Sequence, residues 1–136
     1  MVTDASLWVS WLLPADAHHL TAARWLQSVQ QNGTRMVAPW LLPLEVAGAI
    51  ARRTGDPDLG TRATASIIRS GSIRLIVPDK QLWALAARIA ADARLRGADA
   101  LYVATAYLLG LPLVTFDAEQ ARQSSSFVSI AGLGSI

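Results

Sequence analysis

Apolar and polar positions along this 136-residue chain alternate between short extended runs and longer stretches of helical periodicity. Met1-Val2-Thr3 reads as a strand, followed by a helix from about Ser6 to Leu13 and a break at Pro14-Ala15-Asp16. A second helix is predicted over His18 to Gln31, ended by Asn32-Gly33, before a strand at Arg35-Met36-Val37-Ala38 that Pro39 closes. Pro43 suits the first turn of a helix running to Arg53, and Thr54-Gly55-Asp56-Pro57 stops it. Leu59 to Ser70 predicts another helix, and Ile73-Arg74-Leu75-Ile76-Val77-Pro78 is strand-like. Leu82 to Arg96 places Leu82, Leu85, Ala86 and Ile89 at core-facing spacing, with Gly97 as its end. A helix from Asp99 to Leu109, a strand at Leu113 to Phe116, a short helix at Ala118 to Arg122 and a last strand at Phe127 to Ile130 complete the pattern.

Strands alternating with helices predict an α/β fold: a mainly parallel sheet covered by helices on both faces. No linker, repeat or low-complexity segment divides the chain, so residues 1–136 are expected to form a single domain. Apolar residues make up 52% and charged residues 16%, a balance that excludes a disordered chain. No apolar run approaches the ~20 residues of a membrane span. The start Met-Val-Thr-Asp lacks the basic segment of a signal peptide. Cysteine is absent, which removes disulfides and thiolate metal sites and accords with a cytoplasmic location. The net charge is +2, and every basic residue except Lys80 is Arg. No compact basic run forms, so ordinary solvated helix faces explain the arginines as simply as a nucleic-acid footprint does.

Four acids occupy apolar settings. Asp4 follows Met-Val-Thr, Glu45 lies within Trp40-Leu41-Leu42-Pro43-Leu44-Glu45-Val46-Ala47, Asp99 within Gly-Ala-Asp-Ala-Leu-Tyr, and Asp117 after Leu-Val-Thr-Phe. A buried carboxylate left charged and unpaired costs several kcal/mol, so a shared explanation is needed. Asp4 and Asp117 fall where strands give way to helices, the edge at which parallel α/β sheets bind ligands. The simplest alternative for these two and for Asp99 is helix capping. Glu45 could interact with a helix N-terminus or pair with Arg52 or Arg53, but Gly48 and Ala49 leave space on its own face. Converging carboxylates without Cys or clustered His select hard ions such as Mg²⁺ or Mn²⁺. His18 and His19 are adjacent and diverge on a helix, which makes them a poor ligand pair.

Val2-Thr3-Asp4-Ala5-Ser6, Leu44-Glu45-Val46, Gly97-Ala98-Asp99-Ala100-Leu101-Tyr102-Val103-Ala104 and Leu113-Val114-Thr115-Phe116-Asp117 occur in that order. Together they resemble a PIN-domain ribonuclease of the VapC type, the toxin of bacterial toxin–antitoxin pairs, across essentially the whole chain. The resemblance implies a PIN-like fold and a Mg²⁺- or Mn²⁺-dependent endoribonuclease whose acidic quartet is Asp4, Glu45, Asp99 and Asp117. It implies supporting hydroxyls at Ser6 and Thr115, a homodimer, an RNA substrate and a cognate antitoxin.

The expected reaction is metal-assisted hydrolysis of an RNA phosphodiester. A receiver domain fits less well, because Asp4 is followed by Ala5-Ser6 and Lys80 lies mid-chain. The principal alternative is a non-catalytic binding module whose acids only cap helices. Its interaction surface would draw on Trp8, Trp11, Trp25, Trp40 and Trp83, although core packing explains at least half of them. Arg52, Arg53, Arg88, Arg94 and Arg96 are placed to line either an RNA path or an acidic partner.

Overall fold

The computed structural model describes residues 1–133. Four strands, β1 (Val2–Thr3), β2 (Met36–Pro39), β3 (Ile73–Ile76) and β4 (Leu113–Val114), form one sheet in the order β3-β2-β1-β4. Every pairing is parallel, with Val2 opposite both Val37 and Leu113, and Met36 to Pro39 matched to Ile73 to Ile76. β1 is central and its two residues are fully buried.

Seven helices connect and cover the strands among the described residues: α1 (Ala5–Leu12), α2 (His19–Gln31), α3 (Leu41–Thr54), α4 (Pro57–Arg69), α5 (Lys80–Ala93), α6 (Gly97–Leu109) and α7 (Ala118–Ser124). α1 packs on α2 and α3, α3 on α4, and α5 on α6. α6 packs on β1, β2 and β4, and residues Ala100 to Ala106 are all buried. Its near-continuous apolar sequence therefore reflects burial on almost every side.

Several boundaries differ from the expected ones for identifiable reasons. α3 ends at Thr54 within the expected stop, but the helix predicted from Leu59 starts earlier, as α4 with Pro57 at its first position and Asp56 as the cap accepting from Leu59 N at 2.9 Å. α5 stops at Ala93, because Arg94 turns into the left-handed region at φ 57° without a glycine. α6 consequently begins at Gly97, and Asp99 lies within its first turn instead of opening it. β4 ends at Val114, two residues short of the predicted strand. The last predicted strand reduces to a single parallel bridge between Leu113 and Ile130, since a two-residue β4 offers little ladder to extend.

Three of the five tryptophans belong to the interior. Trp8 and Trp25 are buried, and Trp11 packs on the core and meets Trp8 edge to face at 5.9 Å. Trp40 and Trp83 are exposed.

Candidate active site

The carboxyl ends of β1 and β4 lie side by side, and their chain exits build a connected polar network. Asp4 caps α1: its Oδ1 accepts from Ser6 N at 3.0 Å, Leu7 N at 3.4 Å and Ser6 Oγ at 2.6 Å. Its Oδ2 accepts from Thr115 Oγ1 at 2.6 Å. Ser6 Oγ in turn accepts from Phe116 N at 2.8 Å, so one hydroxyl ties both strand exits together. Burial pushes the Asp4 carboxyl up to about 6, against the opposing pull of these hydrogen bonds.

Thr115 Oγ1 also accepts from Asp117 N at 2.9 Å and lies 2.8 Å from Gln120 Oε1. A hydroxyl has one proton for these two acceptors, and the charged Asp4 oxygen is the shorter and stronger partner. Gln120 Nε2 is buried without a partner. Exchanging the amide's oxygen and nitrogen resolves both conflicts, because Nε2 then donates to Thr115 Oγ1. The turn made by Thr115 and Asp117, not a continued strand, aims their side chains.

Asp117 caps α7, its Oδ1 accepting from Glu119 N at 2.9 Å and Gln120 N at 3.0 Å. Its Oδ2 accepts from Arg96 Nη2 at 3.2 Å, and Arg96 Nε donates to Asp99 Oδ2 at 2.8 Å. Arg96 thus bridges two of the four acids, and the pairing with Asp99 strengthens its own hold on its proton. Arg94, Arg96, Asp99, Asp117, Glu119, Gln120 and Gln123 line a polar cavity of about 420 Å³ at this edge.

Glu45 is the fifth residue of α3 and lies past the first turn, so helix capping does not account for it. Neither expected ion pair forms: Arg53 pairs with Asp16 at 2.5 Å, and Arg52 acts on Glu45 only at a distance. The space left by Gly48 on that helix is taken by the Arg52 guanidinium, whose Nη1 would lie 3.0 Å from a Cβ on Gly48. Burial raises the Glu45 pKa; the neighbouring Tyr102 hydroxyl and Arg96 oppose the rise, and Asp99 adds to it. The Tyr102 hydroxyl faces Glu45 closely enough to influence it, yet is buried without a hydrogen bond of normal geometry. Burial, then the charge of Glu45, keeps that hydroxyl protonated.

All four predicted acids therefore belong to one neighbourhood, with Ser6 and Thr115 hydrogen-bonded to Asp4. Tyr102 and Gln120 were not anticipated. Tyr102 follows Asp99 by three positions on α6, a spacing that puts both on one helix face and could have drawn attention to it. Among the described residues, no group of three or more acidic or histidine side chains is drawn tight enough to hold an ion. Arg96 supplies the positive charge between Asp99 and Asp117 instead. The donor set nonetheless fits a hard divalent ion: hydrogen-bonded carboxylates at a sheet edge, one of them buried at a cost in hydration. His18 stacks on Phe116 with ring centroids 4.6 Å apart and His19 Nδ1 contacts Ser10 O, so both histidines have packing roles.

The family model of the PIN domain matches residues 1–125, and the chain belongs to that family. Its fold is shared by the sarcin-ricin loop cleaving toxin VapC20 of Mycobacterium tuberculosis, at TM-score 0.78 and 21% identity over 96% of this chain and 98% of that one. FitAB bound to the IR36 DNA fragment matches at TM-score 0.71 and 19% identity, over 97% and 94% of the two chains. PAE2754 from Pyrobaculum aerophilum matches at 0.66 and 20%, over 95% and 82%. No curated protein matches the chain by sequence.

Proposed function

We propose that this chain is a VapC-type toxin, a Mg²⁺- or Mn²⁺-dependent endoribonuclease that hydrolyses RNA phosphodiesters, with Asp4, Glu45, Asp99 and Asp117 as metal-binding and catalytic acids. The observation that carries this reading is Glu45. Capping accounts for Asp4 and Asp117, but not for a half-buried acid beyond the first turn of α3 that is electrostatically coupled to Asp99. A binding module whose acids only cap helices has no use for it. The shared fold with VapC20, described as cleaving the sarcin-ricin loop, supports the same chemistry.

The ion would supply charge neutralisation on the phosphoryl oxygen and a lowered pKa for the attacking water. The residues of the chain do the rest. Ser6 and Thr115 fix the Asp4 carboxylate in one rotamer, and the α7 N-terminus fixes that of Asp117. Burial costs the Glu45 carboxylate hydration, which a bound cation would offset. Tyr102 stays neutral and presents a buried O–H among the acids. Arg94 and Arg96 in the adjoining cavity suit an RNA phosphate.

A cognate antitoxin and a second copy of the chain are the proposed protein partners. Trp40, Leu44 and Val77 are exposed, and Trp40 N bonds Ile76 O at 2.8 Å, which brings the apolar ends of β2 and β3 together. No helix among the described residues is long and apolar enough to cross a membrane, and an RNA substrate places the proposed activity in the cytoplasm.

The test is cleavage of bacterial total RNA with Mn²⁺, with and without chelator, by the wild type and Asp99→Asn. Chelator-sensitive cleavage absent from a folded Asp99→Asn protein is expected. Equal cleavage by the variant, or cleavage indifferent to chelator, would sink the assignment.

A further inference from the structure

Asp117 has a single carboxylate oxygen to offer. Its Oδ1 is committed to two backbone N–H groups at the start of α7, and its Oδ2 is held by Arg96 Nη2 at 3.2 Å. The same guanidinium holds Asp99 Oδ2 through Nε at 2.8 Å. Arg96 is itself well exposed, with 77% of its side chain open to solvent, and among the described residues its ion pairs are with these two acids. An ion bound through Asp117 Oδ2 therefore meets the Arg96 guanidinium on the same oxygen, where two cations repel each other, and binding through Oδ1 instead would disturb the cap of α7.

We infer that Arg96 is a tethered counter-ion that holds the Asp99–Asp117 pair in the metal-free protein and must leave it when a divalent ion binds. The inference rests on the metal-binding reading above. It makes Arg96 a positioning residue with two alternative sites: the acid pair, and the polar cavity it also lines with Arg94. Without the guanidinium the two carboxylates would face each other uncompensated at the mouth of that cavity. With it, the acids are pre-aligned, and the ion has to compete for them. Arg94 provides the internal control. It lines the same cavity and carries the same charge, but makes no ion pair with either acid among the described residues.

The experiment is a calorimetric Mn²⁺ titration of wild type, Arg96→Gln, Arg94→Gln and Asp99→Asn at one ionic strength, each checked for cooperative unfolding. An exposed ion pair is a weak competitor, so Arg96→Gln should bind Mn²⁺ about threefold to tenfold more tightly than wild type. Arg94→Gln should change affinity by less than about twofold, since its charge acts only through solvent. In a Mg²⁺ titration followed by NMR, the Arg96 Nε–H resonance should shift as its bond to Asp99 breaks. Unchanged or weaker Mn²⁺ binding by Arg96→Gln, equal tightening in Arg94→Gln, or an unmoved Nε–H resonance at saturating Mg²⁺ would overturn the inference while leaving metal binding intact. Binding by none of the four proteins would overturn the metal reading, and this inference with it.

Discussion

Thr115 and Asp4, 111 positions apart in the chain, are joined by a hydrogen bond of 2.6 Å that locks the exit of β4 to the exit of β1. The same hydroxyl accepts from Asp117 N, so it serves two of the four acids at once. Thr115→Val keeps the shape and removes that function. It leaves the Asp117 N–H unpaired and Asp4 Oδ2 without its donor, an expected loss of about 1–3 kcal/mol in urea unfolding. Thr115→Ser retains the hydroxyl and should recover most of it. A valine variant as stable as the wild type would show that the bond contributes nothing.

Asp4 gives a prediction with a definite sign. Its folded pKa of about 6 lies above the ordinary value of 3.8, and burial is the cause. The native state therefore binds the extra proton, and this contribution to stability is fully present below the unfolded pKa. It is lost as pH rises through about 6, and at neutral pH the charged, buried carboxylate costs on the order of 3 kcal/mol. Asp4→Asn preserves a good N-cap and removes the charge. With chelator present, the variant should melt higher than wild type at pH 7.5, and the two should converge toward pH 4. Parallel Tm–pH curves would contradict the assignment of that slope to Asp4. Burial is the largest cause of the shift, so hydration lost on burial, ahead of crowding among carboxylates, sets the effect.

The positions of Asp4 and Asp117 were legible because an apolar run ending in an acid marks a strand-to-helix exit in any parallel α/β chain. Their capping bonds and their place at the sheet edge follow from the same local rule. Glu45 was legible through its apolar setting alone, and the room inferred beside it overlooked how far an Arg52 side chain can reach. Arg96 could be placed near Asp99 but not upon it, since spacing fixes where a helix starts and says nothing of where a long exposed side chain settles. The left-handed turn at Arg94 hid the true start of α6, as a non-glycine residue gives no signal for that conformation. The His18–Phe116 stack joins a loop to a strand exit far along the chain, and no local pattern encodes such a pairing.

Two glycines on facing helices should respond oppositely to the same change. A glycine inside a helix ordinarily costs about 1 kcal/mol relative to alanine, so Gly→Ala is stabilising by default. At Gly60 in α4 the added Cβ would lie 2.5 Å from the Ala47 carbonyl oxygen of α3, and a backbone atom cannot step aside without moving its helix. At Gly48 in α3 the nearest atom is Arg52 Nη1 at 3.0 Å, the far end of a flexible side chain. Gly60→Ala should therefore destabilise by about 1–3 kcal/mol as α3 and α4 are forced apart. Gly48→Ala should be neutral or stabilising by up to about 1 kcal/mol while Arg52 swings clear. Since α3 carries Glu45, a shift in its packing also displaces that acid, and Gly60→Ala should weaken Mn²⁺ binding where Gly48→Ala does not. Unfolding curves and Mn²⁺ titrations of the two variants check both halves. Equal stability of Gly60→Ala and wild type would mean that the close approach of the helices relaxes at no cost.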